Sequence, residues 1–501
     1  MNILYISLDE RPCNYKYPAE IIGKSKEVEF IVPPKSLLNK KKTVANIEGL
    51  WNFVEENIGS CDYAILSIDM MVYGGLLPSR LHQSNLEELL ERLERLKNLK
   101  SINPNVKIYA FDTIMRVPSY NSSEEEPDYY EDFGERIFRI SWLRDKIDKG
   151  YGDEKDRAEY EKVLSEVPVE FENDYFGRRK KNYEVTKSIL KLVQEEVIEF
   201  LVIPQDDTAL YGVQASEQQE HIKTIKSLDI AHKVFIYPGA DEVGCTLLSR
   251  IINDYKKVTP SVFVRFSSVK GPEIIPSFED RPYIETIKWH LTSAGLWMVD
   301  NSQDADFILM VNTPGAETTA AQTQDLGVRE NNSMRNLMEF VTACREYIKK
   351  GKKVVISDVA YSNGSDKELI NILGKFGIMS KISGYAGWNT HGNTLGTALC
   401  EGTCALHYGE NRKFIAYRYL EDCGYQSIVR QIVIDELPSE GLSYYDFKDK
   451  EEWVENRTVM HLNEFLSKYI QPYFDEKIKI NGVSFPWRRM FEVDIDIDLE
   501  E

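Results

Sequence analysis

Histidine and cysteine are scarce in this sequence, and neither forms a spacing typical of a metal site. Among 501 residues there are seven histidines, and no HxH or HExxH occurs. The seven cysteines lack a CxxC pair, and an odd number of scattered cysteines in a large chain predicts reduced thiols in the cytoplasm. Cys400 and Cys404 leave a metal or a disulfide open as an alternative, although small cysteines on a helix face are commoner.

Positive charge and long apolar runs are also lacking. Lys and Arg number 61 against 81 Asp and Glu, which gives a net charge of -20. Nucleic-acid binding is therefore disfavoured, because phosphates need clustered cations, whereas neutral sugars remain open as ligands. No window offers the roughly 20 apolar residues that cross a bilayer, so we expect no membrane partner. The amino terminus has no basic region before its apolar run and predicts a first strand, not a signal peptide.

Short apolar runs alternate with helical stretches along most of the chain. The strand candidates are residues 2–10, 28–34, 63–70, 107–113, 199–207 and 233–242 in the first half, and 261–268, 296–300, 305–314, 353–360 and 382–389 in the second. Continuous apolar strands that alternate with helices predict parallel sheets covered on both faces. We expect an α/β protein with two doubly wound, Rossmann-like lobes that face each other across a cleft. An elaborated eight-stranded (β/α) barrel is the alternative.

The predicted lobes span residues 1–258 and 259–410, and a C-terminal extension spans 411–501. Residues 119–185 are charged, aromatic and prone to form helices, which predicts a helical insertion that serves as a lid or cap; a solvated surface excursion is the alternative. The last stretch of the extension alternates apolar and acidic residues. That pattern predicts an edge strand or a strapping arm.

Polar side chains follow nearly every predicted strand. They are Asp9, Glu10 and Arg11; Asp69, Tyr73 and Arg80; Asp112 and Arg116; Gln205, Asp206 and Asp207; Asp241 and Glu242; Asn312; Asp358; and Trp388, Asn389, His391 and Asn393. Helix caps account for some of these residues but not for all of them. Because parallel strands end at one edge of their sheet, we expect these side chains to form a pocket for a hydroxyl-rich ligand.

Three of these segments carry further alternatives. In LDERPCN, Arg11 either pairs with Asp9 as a structural salt bridge or, held by an acid, orients a substrate oxygen. The glycines of YGGLLPSR allow close approach of the backbone to a ligand, but the segment matches no nucleotide-binding loop. In GWNTHGNTLGTAL, we expect a strand to end and a closely packed helix to begin, with Trp388 as either a sugar platform or a core anchor.

The strings LDERPCN, DMMVYGGLLPSR, QDDTALYG, PGADEVG and GWNTHGNTLGTAL occur in this order over most of the chain. Together they resemble the bacterial family known as domain of unknown function 4127. This resemblance implies no particular chemistry, so the functional expectation comes from the residues.

Paired acids at strand ends favour a carbohydrate-active enzyme, in particular a glycoside hydrolase. Glycosidic hydrolysis uses one protonated and one ionised carboxyl group, and Asp206 or Asp207 with Asp241 or Glu242 would supply such a pair. We expect a small carbohydrate substrate and no cofactor. The alternatives are a metal-dependent sugar isomerase, aldolase or hydrolase that uses Mg²⁺ or Mn²⁺, a glycosyltransferase, and a sugar-binding sensor without catalysis.

Overall fold

The structure, a computed structural model, describes residues 1–23, 25–327, 331 and 333–500. The chain folds into two compact units. Unit 1 comprises Met1–Glu10, Lys26–Ala240 and Phe278–Asp280, and unit 2 comprises Arg11–Ser25, Asp241–Ser277 and Arg281–Glu501. The predicted lobes were to end at residues 258 and 410. Both positions lie inside unit 2, so the unit limits differ from the predicted lobe limits.

The strands form two parallel sheets and two small ladders. In chain order they are β1 Asn2–Ile6, β2 Glu29–Ile31, β3 Tyr63–Ser67, β4 Lys107–Phe111, β5 Phe200–Gln205, β6 Val234–Pro238, β7 Ser261–Phe266, β8 Trp297–Val299, β9 Phe307–Asn312, β10 Thr319–Ala320, β11 Lys353–Asp358, β12 Tyr361–Ser362, β13 Gly384–Ala386, β14 Lys477–Ser484 and β15 Asp494–Glu500. All eleven strands of the two large sheets were predicted.

The two large sheets share one topology. In unit 1 the order is β2-β1-β3-β4-β5-β6, and in unit 2 it is β8-β7-β9-β11-β13. All these neighbours pair in parallel, and each unit's first strand lies between its second and its third. This is the order of doubly wound folds, in which ligands bind beyond the carboxyl ends of the strands where the winding reverses. In the described residues neither sheet closes, so the barrel alternative is wrong.

Helices connect the strands. The α-helices are α1 Pro12–Tyr15, α2 Tyr17–Ile22, α3 Ile47–Asn57, α4 Leu76–Leu81, α5 Leu86–Ile102, α6 Tyr130–Asp148, α7 Glu154–Ser165, α8 Val169–Gln194, α9 Val213–Ser227, α10 Val243–Lys256, α11 Tyr283–Ser293, α12 Leu337–Lys349, α13 Lys367–Lys375, α14 His391–Tyr408, α15 Arg412–Arg418, α16 Arg430–Glu436 and α17 Glu451–Phe465. Among the described residues, no helix is both long enough and apolar enough to cross a membrane.

Helix α5 illustrates how the sequence fixes these elements. Asn85 accepts a hydrogen bond from the backbone N–H of Glu88 at 2.9 Å and so caps the first turn. Leu89, Leu93 and Leu96 then recur at helical spacing, and all three are buried. One apolar face is thereby packed against the rest of unit 1.

The predicted insertion is helical, because α6, α7 and most of α8 lie within it. Its helices enclose a small apolar core that includes Tyr130, Ile137, Ile140 and Tyr175. Tyr130 also donates its hydroxyl proton to the carbonyl oxygen of Pro118 at 2.9 Å, which ties the core to the start of the insertion.

The C-terminal extension combines helices with a hairpin. Between α15 and α16 the chain continues as a buried π-helical segment, Tyr419–Val429. The last alternating stretch forms β15, which pairs antiparallel with β14 in a two-stranded ladder of unit 2. The alternation therefore predicted a strand, and its partner is the neighbouring strand of the extension.

Gly396 in α14 allows the close packing that its sequence predicted, and replacing it tests this packing. A Cβ atom at Gly396 would lie 1.7 Å from Oε2 of Glu242, which is fully buried. We expect Gly396→Ala to lower the free energy of unfolding by about 1–3 kcal/mol, because a packed core resists an added methyl group. Thermal and denaturant unfolding, followed by circular dichroism, measures the change.

Gly177→Ala is the matched control, since Gly177 lies in α8 with no atom within 4 Å of the added Cβ. This variant should be more stable by about 1 kcal/mol, because alanine is the better helix former. Equal effects of the two substitutions would contradict the packing of α14 against Glu242.

Candidate functional site

Two arginines pair with the adjacent acids at the end of β5. Arg80 Nη2 donates to Asp206 Oδ2, and Arg116 Nη1 donates to Asp207 Oδ2 at 3.2 Å. The next helix, α9, begins at Val213 and has no side-chain cap. The adjacent acids therefore form ion pairs within unit 1 and do not cap the following helix.

Two glutamates from the start of the insertion bind both arginines. Glu126 Oε1 accepts from Arg80 Nη1 at 3.1 Å and from Arg116 Nε at 3.2 Å. Glu125 Oε2 accepts from Arg80 Nη1 at 3.1 Å and from Arg116 Nη2 at 2.8 Å. We call these two arginines and the four acids around them, Glu125, Glu126, Asp206 and Asp207, the acid–arginine cluster. Neither glutamate was predicted as a site residue, because a run of acids in a charged insertion is typical of a solvated surface.

The two acids of the QDD segment lie in different environments. Burial, together with the charge of Asp206, raises the pKa of Asp207 to about 6, although the charge of Arg116 lowers it. The Asp207 side chain is nevertheless 31% exposed. Asp206 is 16% exposed and bonds to Arg80, which is itself almost fully buried. Asp207 is thus the acid that combines a raised pKa with a partly exposed side chain.

A second pair of acids, Asp69 and Asp112, lies at the ends of β3 and β4. Asp69 begins a π-helical turn, Asp69–Tyr73, and accepts a hydrogen bond from the backbone N–H of Thr113 at 3.0 Å. Burial raises the pKa of Asp69 to about 7 and also raises the pKa of Asp112. The hydroxyl of Tyr73 is buried, and none of the described residues forms a hydrogen bond with it.

The remaining predicted residues of unit 1 are Asp9 and Glu10, which follow β1, and Gln205, which is the last residue of β5. Asp9 is fully buried, and Glu10 Oε1 accepts a hydrogen bond from the backbone N–H of Lys41 at 2.7 Å. Gln205 Oε1 accepts from Gln218 Nε2 at 2.9 Å. Unit 1 therefore brings the strand-end acids of β1, β3, β4 and β5 to the carboxyl edge of one sheet.

In unit 2, Asp241 binds Arg11 and two asparagine side chains. Arg11 donates to Asp241 from Nη2 at 2.5 Å and from Nη1 at 3.2 Å. Asn14 and Asn389 donate their amide hydrogens to the same carboxylate at 3.2 and 3.0 Å. The backbone N–H of Asp241 donates to Asn393 Oδ1 at 2.9 Å. Asp241 is thus the acid that holds the Arg11 guanidinium in unit 2.

The C-terminal extension also contributes to the surroundings of Arg11. The Arg11 guanidinium lies 4.5 Å from the ring centroid of Trp487, and Arg489 lies 4.7 Å from the same ring. Arg489 in turn forms two hydrogen bonds with Glu492, at 2.7 and 2.5 Å. Trp487, Arg489 and Glu492 were not predicted as site residues, since nothing in the local pattern around 487–492 links them to the first helix.

Glu242 has a different environment from Asp241. Its Oε1 lies 3.1 Å from His290 Nε2, and its Oε2 accepts a hydrogen bond from Thr246. The side chain is fully buried beneath Gly396. This environment favours a structural role for Glu242, so we do not include it in the catalytic pair proposed below.

The segment before α14 places Trp388 and His391 in buried positions. Trp388 is 5% exposed and packs against Phe491, with 5.8 Å between ring centroids. His391 lies edge-on to Tyr283, and burial lowers its pKa to about 3, with the neighbouring His290 adding to the effect. The His391 ring is therefore neutral.

Asn312 and Asp358 lie side by side at the ends of β9 and β11. Asn312 Nδ2 donates to Asp358 Oδ1 at 2.8 Å, and the Tyr385 hydroxyl donates to Asp358 Oδ2 at 2.7 Å. Arg335 Nη1 donates to Asn312 Oδ1 at 3.1 Å and to Asp366 Oδ2 at 2.5 Å. Arg335 and Asp366 also line a polar cavity of about 700 Å³ in unit 2.

Thiols and carboxylates are possible metal ligands. Each of the seven cysteines is buried as a thiol that forms no disulfide, including Cys400 and Cys404. In the part of the chain that the structure describes, no group of three or more His, Cys, Asp or Glu side chains is arranged to hold a metal ion.

These features define a two-unit α/β protein with doubly wound sheets and with acid clusters at the strand ends. The chain belongs to the family described as protein of unknown function (DUF4127), whose model matches residues 3–496. A comparison with curated proteins found no match.

The raised pKa of Asp207 predicts an unusual pH dependence of stability. A carboxyl group whose pKa rises from 3.8 to about 6 on folding binds its proton more tightly in the folded state. Stability therefore falls as pH rises from about 4 to about 6 and stays lower above that range. We expect Asp207→Asn to raise the free energy of unfolding at pH 7.5 by about 1–2 kcal/mol, with no gain at pH 4. Denaturant unfolding at both pH values measures this difference.

Asp174→Asn is the matched control with the opposite sign. Burial raises the pKa of Asp174, but hydrogen bonds from Tyr129, Gln83 and Arg178 outweigh burial and lower it overall. Asp174 therefore stabilises the fold above pH 4, and this contribution is lost as pH falls through its folded pKa. The asparagine variant should be less stable than the wild type at pH 7.5. A loss of stability in both variants at that pH would contradict the environment described for Asp207.

Proposed function

We propose that this protein is a carbohydrate-active enzyme, specifically a glycoside hydrolase, in which Asp206 and Asp207 form the catalytic pair. One observation carries the proposal: two adjacent acids at the end of β5 are held by different arginines in different environments. Asp207 has a pKa raised to about 6 and an exposed fraction of 31%. Asp206 bonds to the buried Arg80.

These environments suit the two roles that glycosidic hydrolysis requires. Asp207, whose pKa is raised to about 6, is protonated below that pH and then donates a proton to the leaving glycosidic oxygen. Asp206, bonded to Arg80, supplies the ionised carboxylate that faces the positive charge developing on the sugar ring. The arginines fix both carboxyl groups, so little reorganisation is needed when charge develops.

Substrate hydroxyl groups need donors and acceptors around the reacting bond. Asp69, Tyr73, Asp112 and Gln205 are the strand-end groups of unit 1 that we assign to this role, and Asp9 and Glu10 belong to the same sheet edge. In unit 2, Arg11, Asp241, Asn389 and Asn393 form a hydrogen-bonded group of their own, to which we assign no contact with this substrate. We also retain a cytoplasmic location in this proposal.

The hydrogen bonds of the arginines favour a hydrolase over a glycosyltransferase. A nucleotide-diphosphate substrate needs cationic side chains that are available to phosphate. Arg80, Arg116 and Arg11 each form an ion pair with carboxylates of their own unit. A neutral sugar, which carries hydroxyl groups and no charge, is compatible with this arrangement.

Turnover of chromogenic glycosides tests the proposal. We would assay a panel that includes 2-acetamido sugars, with and without chelator, on the wild type and on Asp206→Asn and Asp207→Asn. Each variant should lose at least about a hundredfold in kcat/KM, because removal of a catalytic acid or base has an effect of this order. In the wild type kcat/KM should fall as pH rises above about 6, where Asp207 loses its proton.

Asp174→Asn again serves as the control, since it changes an acid of the same unit that lies outside the acid–arginine cluster. Release of the chromophore that survives chelation, and that disappears only in Asp206→Asn and Asp207→Asn, supports the hydrolase. Loss of turnover in the presence of chelator would favour a metal-dependent sugar enzyme. Sugar binding without turnover on any glycoside would favour the sensor, and unchanged kinetics in both variants would overturn the proposed roles.

A further inference from the structure

Two aromatic rings of the helical insertion lie near Tyr211, which follows the QDD segment. None of these three rings has a role in the proposed catalytic pair. Trp142 lies in α6, Tyr151 follows α6, and Tyr211 lies four residues after Asp207. The ring centroids of Trp142 and Tyr211 are 5.1 Å apart in an edge-to-face arrangement, and those of Tyr151 and Tyr211 are 6.2 Å apart. We call Trp142, Tyr151 and Tyr211 the ring cluster.

The ring cluster is accessible on its outer side. Tyr151 is 68% exposed, and the adjoining Leu210 is 76% exposed. A single exposed apolar side chain is ordinary on a protein surface. Here, however, the exposed Tyr151 ring contacts Tyr211, which lies on the segment that begins with the two acids, and Tyr211 in turn contacts Trp142.

The backbone fixes Tyr151 in place. Gly150 has a φ of 81°, and its N–H donates to the carbonyl oxygen of Ile147 at 2.9 Å. The N–H of Tyr151 donates to the carbonyl oxygen of Lys146 at 3.0 Å. This pair of bonds is the Schellman arrangement that ends a helix. In that arrangement the residue at the position of Tyr151 usually packs back onto its own helix, whereas most of the Tyr151 ring remains exposed.

The same helix also fixes the far end of the acid segment. The N–H of Gly212 donates to Asp145 Oδ2 at 3.0 Å, and the N–H of Val213 donates to Ser141 Oγ at 2.8 Å. Both acceptors lie in α6, which also carries Trp142. From Asp207 to Tyr211 the chain spans at most about 14 Å. The rings therefore lie within the length of a few sugar units of the proposed general acid.

The charges around the ring cluster are paired. Arg139 and Lys146 lie 4.4 and 5.0 Å from the Trp142 ring centroid. Arg139 bonds to Glu159 through two hydrogen bonds, and Lys146 pairs with Asp156 at 2.8 Å. These ion pairs leave little attraction for an anionic chain, so the surface suits a neutral ligand with apolar faces.

We propose that the ring cluster is a subsite that binds further sugar units of a neutral glycan whose scissile bond lies at Asp206 and Asp207. The inference rests on the proposed function and narrows it, because it makes the substrate an oligosaccharide or polysaccharide instead of a simple monoglycoside. Tyrosine and tryptophan rings offer flat, rigid contact surfaces that lose little conformational entropy on binding. The helical insertion thereby extends the binding site along the chain of the substrate.

Binding of oligosaccharides of increasing length to the full-length protein tests this subsite. The probes are cello-, xylo-, malto- and chito-oligosaccharides from the disaccharide to the hexasaccharide, with binding read by calorimetry. At least one series should bind more tightly as its length increases. Tyr151→Ala should weaken the longest chain of that series by about fivefold, and Tyr151→Phe should restore it, because the ring makes the contact. Turnover of an aryl monoglycoside should be unchanged in both variants.

Tyr255→Ala is the matched control, since Tyr255 is an exposed tyrosine of α10 in unit 2 with 46% exposure. The affinity of this variant for every oligosaccharide should equal that of the wild type. The subsite is overturned if no series binds, if affinity does not depend on length, or if Tyr151→Ala leaves the long chain unaffected. Long chains that bind through Tyr151 but are never cleaved would retain the subsite and reject the hydrolase, so the two failures are distinguishable.

Discussion

The arrangement of the proposed catalytic acids depends on two guanidinium groups that bind four carboxylates and share two of them, Glu125 and Glu126. Arg80 is almost fully buried, and such a cation is tolerated only where hydrogen-bonded anions offset its desolvation. Glu126 satisfies both arginines with a single oxygen, so it also sets their relative orientation. Asp206 and Asp207 of the QDD segment each accept a hydrogen bond from a further nitrogen, one on each arginine. Segments from α4, the end of β4, the insertion and the end of β5 are thereby joined at one point.

The sequence was sufficient for most of the fold. Strands buried on both faces of a parallel sheet are continuous apolar runs, and this signal identified all eleven strands of the two large sheets. The shared strand order makes β3 and β9 equivalent, as the third strand of each large sheet. The short β10–β12 ladder was missed, because strands of two residues leave no periodic pattern.

The site was predictable only in part, for a reason that lies in the distance along the chain. Polar residues at strand ends are visible locally, which is why Asp206, Asp207 and Asp241 were predicted. Their partners are not visible locally: Arg11 and Asp241 are 230 positions apart, and Arg80 and Asp206 are 126 apart. The role of Glu126 and the burial of Glu242 depend on such long-range packing. A pattern of residue types along one segment predicts neither the role of Glu126 nor the burial of Glu242.

The adjacency of Asp206 and Asp207 illustrates how a local conflict is resolved by tertiary structure. Two neighbouring carboxylates repel each other and resist burial, so the pair is unfavourable when considered alone. Separate arginines relieve this conflict unequally, since the Asp207 pKa remains raised by burial and by the charge of Asp206. Such residual strain is typical of sites where chemistry, and not stability, selects the residue. The destabilising acid is also the one that can transfer a proton near neutral pH, so the instability and the proposed function have the same physical origin.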